Sequence, residues 1–121
     1  MVMHTQLPIH KTGSDLLGIA TLILVKMKRD YKRAVGEKIV ANCSDMLNLM
    51  ALANATRGRQ RAEHLRGILA HQRAATMWLR VALDLKAVAP AHWGKAIQML
   101  ESVSKQATGW LAKTNEPAPA A

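Results

Sequence analysis

The sequence predicts an all-α protein, an antiparallel up-down four-helix bundle. Apolar residues recur at intervals of three and four along four separate stretches, which is the spacing of one helix face. No stretch alternates apolar and polar residues for long enough to make a strand. The connections are short, and helix-breaking residues mark two of them, at 54–58 and at Pro90.

Taken in order, residues 1–13 lack periodicity and contain Pro8 and Gly13, which reads as a flexible lead-in. Ser14 is then the candidate N-cap, with Asp15 placed to meet the helix dipole. The first helix is expected over about 15–28. It is apolar nearly all round, through Leu16, Leu17, Ile19, Ala20, Leu22, Ile23, Leu24 and Val25. A helix on the surface of a monomer shows one apolar stripe, so burial on several sides points to a subunit interface. The second helix is expected over about 33–54, with Val35, Ile39, Cys43, Met46, Met50 and Ala53 facing the core.

Asn54, Thr56 and Gly58 mark a turn before a third helix expected over about 59–87. Leu65, Ile68, Leu69, Leu79, Ala82 and Leu83 form its apolar face. Pro90 stops that helix and suits the start of the next. The fourth helix is expected over about 91–113, with Trp93, Ile97, Leu100, Val103, Ala107, Trp110 and Leu111 inward. Residues 115–121, rich in Pro and Ala, read as a disordered tail. The bundle proper therefore covers 14–114.

A chain of 121 residues, half of them apolar, suffices for one such domain. Seventeen Lys and Arg against eight Asp and Glu give a formal charge of +9, which favours a polyanionic partner. The longest apolar run, Leu16 to Val25, is ten residues, about half a membrane span. It also lacks a cleavage site, so no membrane or export role is expected and the location is read as cytoplasmic. A single cysteine, Cys43, forms no intramolecular disulfide and falls on an apolar face as a core residue.

Four arginines recur every seven residues: Arg59, Arg66, Arg73 and Arg80. On a helix they make one ridge about 30 Å long, drifting roughly 20° per step. Guanidinium groups are permanently charged forks that match phosphate. The competing reading is a solvated face laced with intrahelical pairs. Glu63 is spaced for Arg59 and Arg66, and Asp84 for Arg80, while Arg73 has no acid at helical spacing. Arg80, between Leu79 and Val81, could alternatively lie partly buried at an interface. A second basic group, Lys26, Lys28, Arg29, Lys32 and Arg33, occupies the junction between the first two helices.

Phe is absent and only Tyr31, Trp78, Trp93 and Trp110 could stack on bases, so recognition is read as electrostatic. The tryptophans are assigned to core or interface pockets, and Met27, Met46, Met50, Met77 and Met99 to core filling. Catalytic constellations are not evident. His64 and His71 are about 10.5 Å apart along a helix and cannot share a metal ion. No phosphate-binding loop, dinucleotide fingerprint or nucleophile elbow occurs, so neither enzyme activity nor a cofactor or metal is expected.

Three segments resemble the accessory variability determinant proteins of diversity-generating retroelements. That family lies within a four-helix-bundle superfamily that includes ribosomal intervening-sequence proteins. In Met27-Lys-Arg-Asp-Tyr-Lys-Arg-Ala-Val-Gly-Glu-Lys-Ile39, the residues Arg29, Lys32, Gly36, Lys38 and Ile39 fit, whereas Met27 and Lys28 replace the family's Phe-Pro. Trp78-Leu-Arg-Val-Ala-Leu-Asp-Leu85 is similar to the Leu-Arg-Leu-Ala-x-Asp-Leu of helix three. Thr108-Gly-Trp-Leu-Ala-Lys-Thr-Asn115 is similar to the Gly-Gly-Trp-Leu ending.

The resemblance implies a homopentameric barrel that associates with the retroelement reverse transcriptase and its template RNA, with cDNA as a further candidate. It implies support for mutagenic retrohoming rather than polymerase activity. Two alternatives stay open: a stand-alone RNA-binding bundle of the intervening-sequence type, and an oligomeric protein-binding scaffold.

Overall fold

The computed structural model describes residue 3 and residues 7–114. Its elements are α1 (Pro8–Lys26), a single turn α2 (Arg29–Tyr31), a π-helical turn (Lys32–Gly36), α3 (Glu37–Ala55), α4 (Gly58–Asp84) and α5 (Pro90–Lys113). The four long helices α1, α3, α4 and α5 form the bundle. Residues 1, 2, 4–6 and 115–121, which include five of the thirteen residues of the expected lead-in and the whole tail, lie outside the described residues.

Helix α1 starts seven residues earlier than Asp15, the start expected from its sequence. Pro8 stands in the first turn, where its missing N–H costs nothing, and Leu7 supplies the first carbonyl to the amides of His10 and Lys11. Gly13 is not a breaker but a contact point: a Cβ there would stand 2.9 Å from Met50 Cε, so its absence lets α1 approach α3. Ser14 is consequently an exposed residue inside the helix, not its cap.

The chain leaves α1 at Met27 and Lys28, both extended, two residues before the expected end. It is helical again from Arg29, and the turn Lys32–Gly36 is wound as a π-helix. Such a turn is a local excess of backbone that periodicity does not signal. Gly36 is buried beneath the end of α1, where a Cβ would meet Leu24 Cδ1 at 2.5 Å and Met27 Sδ at 3.0 Å.

Helix α4 stops at Asp84, short of residue 87, and not because of Pro90. The amide of Lys86 bonds the carbonyl of Leu83 (2.9 Å) and that of Ala87 bonds Ala82 (2.8 Å). This paired 5→2 and 6→1 closure is a Schellman motif, whose C′ residue must be left-handed and is usually glycine. Lys86 occupies that position with φ 57°. Pro90 instead opens α5 from its first turn.

Side-chain bridges fix the antiparallel register. His71 meets Asn42 between α4 and α3, Gln72 donates to the Leu100 carbonyl of α5, and Gln106 donates to Thr12 of α1. Helices α1 and α4 each pack on α3 and α5 and lie on opposite corners. All six core positions expected in the second helix are buried. Leu65, Ile68, Leu79, Ala82, Leu100, Val103 and Ala107 join them, while Leu69, Leu83, Trp93, Ile97, Trp110 and Leu111 are half-buried around the edge.

No polar or charged residue is buried among those described. Cys43 lies in the core as expected, and burial pushes its thiol up to about 12. Met77 is a correction to the core: it is 52% exposed on the outer face of α4. Leu22 and Val25 lie on the outer face of α1, the side the bundle leaves uncovered. Among the described residues no helix is long and apolar enough to cross a membrane.

Candidate polyanion-binding surface

Burial of Leu65, Ile68, Ala75, Leu79 and Ala82 fixes the rotation of α4 about its axis. The opposite face then carries, in order, Arg59, Glu63, Arg66, Ala70, Arg73, Met77, Arg80 and Asp84, all exposed. The four arginines thus share one continuous helix and one solvent-facing side. The alternative of a partly buried Arg80 is not realised, because its side chain is 68% exposed and reaches Asp84 at 3.3 Å. An exposed pair of this kind leaves the guanidinium accessible and contributes little to stability. Arg59 and Arg73 have no carboxylate at ion-pair distance among the described residues, so the spacing of Arg59 and Glu63 is not used for a pair.

Side-chain bonds tie the helix that carries the ridge to its neighbours. Asn42 donates its amide to the Lys38 carbonyl, which leaves Oδ1 to accept from His71 Nδ1–H at 2.8 Å. At the start of α4, Arg61 turns inward, donating to the Ala53 carbonyl (2.8 Å) and stacking 5.5 Å above the Trp110 ring. Arg61 therefore closes the end of α3 rather than joining the ridge. One face of Trp110 is correspondingly occupied. Trp78 and Trp93 are also half-buried, with the indole N–H of Trp93 shielded and unpartnered among the described residues.

Lys26, Lys28, Arg29, Lys32 and Arg33 are all exposed. The π-turn and the extended Met27–Lys28 link present them at one end of the bundle, the end that also holds Arg80. Two further basic residues gather there that sequence reasoning missed. Lys86, in the α4–α5 link, and His92, in the first turn of α5, line a cavity of about 690 Å³ together with Lys26 and Lys28. Lys86 carried no signal, because its placement follows from a helix stop normally announced by glycine.

His64 and His71 are half-buried and separate. No three His, Cys, Asp or Glu residues converge to hold a metal ion among those described. No family model, curated protein or solved structure matches the chain.

Proposed function

We propose that this protein is a non-catalytic accessory subunit of a diversity-generating retroelement, binding template RNA and the reverse transcriptase in the cytoplasm. The observation that carries the reading is the exposed, collinear row Arg59, Arg66, Arg73 and Arg80 on one continuous helix. Its charges are fixed, no basic residue of the row is lost to the core, and the exposed junction group extends the positive field around one end. Such a surface contacts phosphates and positions a strand without reading its bases.

Support for a family-like assembly comes from the outer face of α1. Gly18, Thr21, Leu22 and Val25 are exposed there without an intervening charge. A homopentameric barrel would cover this face and multiply the arginine rows around its surface. The three resembling segments also have a structural logic. Gly36 lies closely beneath Leu24 and Met27, and Arg80 and Trp110 hold defined positions on α4 and α5.

RNA binding measured by fluorescence anisotropy across a salt series tests the reading. Engagement of six to ten phosphates lowers affinity by about 10³–10⁵ between roughly 50 and 200 mM salt. An affinity that stays flat over this range rejects the electrostatic surface. Co-purification with a reverse transcriptase encoded beside the gene separates the accessory subunit from a stand-alone RNA-binding bundle. Failure to retain any RNA would favour the protein-binding scaffold.

A further inference from the structure

The cavity at the junction end has a composition of its own. Its floor is apolar, built from Ile23, Leu83, Ala87, Val88 and Pro90, and its basic groups are Lys26, Lys28, Lys86 and His92. No carboxylate lines it. The nearest acid in sequence to Lys86, Asp84, is engaged by Arg80. Lys26, Lys28 and Lys86 all line this one concavity, and an anion seated there lowers the repulsion among their charges.

Lys86 is placed there at a conformational cost. The Schellman closure of α4 requires a left-handed residue, where a side chain is strained relative to glycine. A lysine in the glycine position brings a cation to the lining of this cavity from the α4–α5 link. The first turn of α5 adds to the same field: the amides of Ala91 and His92 have no backbone acceptor among the described residues.

We propose that this cavity binds a nucleoside phosphate, its phosphate held by Lys28, Lys86 and His92 and its flat body laid against Val88 and Pro90. A volume of about 690 Å³ accommodates one nucleotide. An anion with an apolar body follows from the cations and the apolar floor alone. The choice of a nucleotide over other phosphate esters rests on the reading of α4 as a nucleic-acid surface, since Arg80 brings that surface to the same end of the bundle. The ligand is either a free mononucleotide or the phosphorylated end of a strand.

Calorimetric titration of the full chain with uridine 5′-monophosphate, and with a short oligouridylate bearing a 5′-phosphate or a 5′-hydroxyl, tests the site. Saturable mononucleotide binding identifies a free nucleotide as the ligand. A preference of about tenfold or more for the phosphorylated oligonucleotide, equivalent to about 1.4 kcal/mol, identifies a strand end. In either case Lys28→Gln with Lys86→Gln abolishes the effect, and Arg73→Ala leaves it intact. Lys86→Gly separates folding from binding, because it relaxes the backbone while removing the cation; it must bind as weakly as Lys86→Gln.

The proposal is overturned if neither ligand binds with dependence on these lysines. It is overturned equally if oligonucleotides bind regardless of their 5′ end and only Arg73→Ala weakens them, an outcome that leaves the α4 surface standing. Mononucleotide binding without any affinity for longer RNA would reject the α4 reading and retain the cavity.

Discussion

Gly36 and Gly94 are both helical glycines, yet they have opposite roles. A Cβ at Gly36 runs into Leu24 and Met27, whereas one at Gly94 meets nothing within 4 Å. Gly36→Ala is therefore expected to destabilise by about 1–3 kcal/mol through overpacking. Gly94→Ala is expected to stabilise by about 0.5–1 kcal/mol through reduced backbone entropy loss. Urea midpoints of opposite sign check the pair. Cys43 supplies a pH dependence. Its buried thiol is pushed from 9.0 to about 12, so the unfolded chain releases the proton first. The stabilisation is complete below about pH 9 and declines as pH rises towards 12. Thermal melts should show the wild type losing stability relative to Cys43→Ala across that window, at up to about 1.4 kcal/mol per pH unit. Equal pH profiles would contradict a buried neutral thiol.

At the scale of elements, the core faces were legible, and so were the end of α3, the start of α4 and both ends of α5; the start of α1 and the end of α4 were not. Ile39, Cys43, Met46 and Met50 announced their face because burial on one side imposes a helical period. The start of α1 was hidden because Pro8 and Gly13 carry the same letters as breakers. Only the partners distinguish them: Pro8 stands in a first turn, where no intrahelical bond needs its N–H, and Gly13 faces Met50. The end of α4 was hidden because a lysine does the work of a glycine. Arg61 is the clearest element-level test. It joins the end of α3 to α4 and α5 through the Ala53 carbonyl and the Trp110 ring. Arg61→Ala is expected to cost about 1–3 kcal/mol, with a lower urea midpoint and an unchanged slope. Lys at this position recovers only part, because an ammonium lacks the planar fork.

For the whole molecule, the two exposed faces make separable predictions. Arg73→Ala should reduce the salt slope of RNA binding by about one while leaving the assembly and the melting temperature unchanged. Val25→Glu should leave helicity intact and lower the mass seen by light scattering, because a charge is placed on the uncovered face of α1. A unit-sized particle in the wild type as well would remove the oligomer from the proposed function without touching the RNA surface. Should both variants lose RNA together, the binding surface must span subunits rather than lie on one α4.

The sequence by itself determined the helical class, the inward faces of the helices and the existence of one arginine row. Each of these is a periodic property, and a period of three to four residues is written into the order of side chains. Tertiary structure decided what depends on neighbours. It set where Arg80 points, which glycines are contact points and why α4 stops at Asp84. It also decided that Lys26, Lys28, Lys86 and His92 share one cavity, since three segments meet there only after the helices pack. Residues 60 positions apart have no period in common, so only the packing of α1 against α5 brings them together.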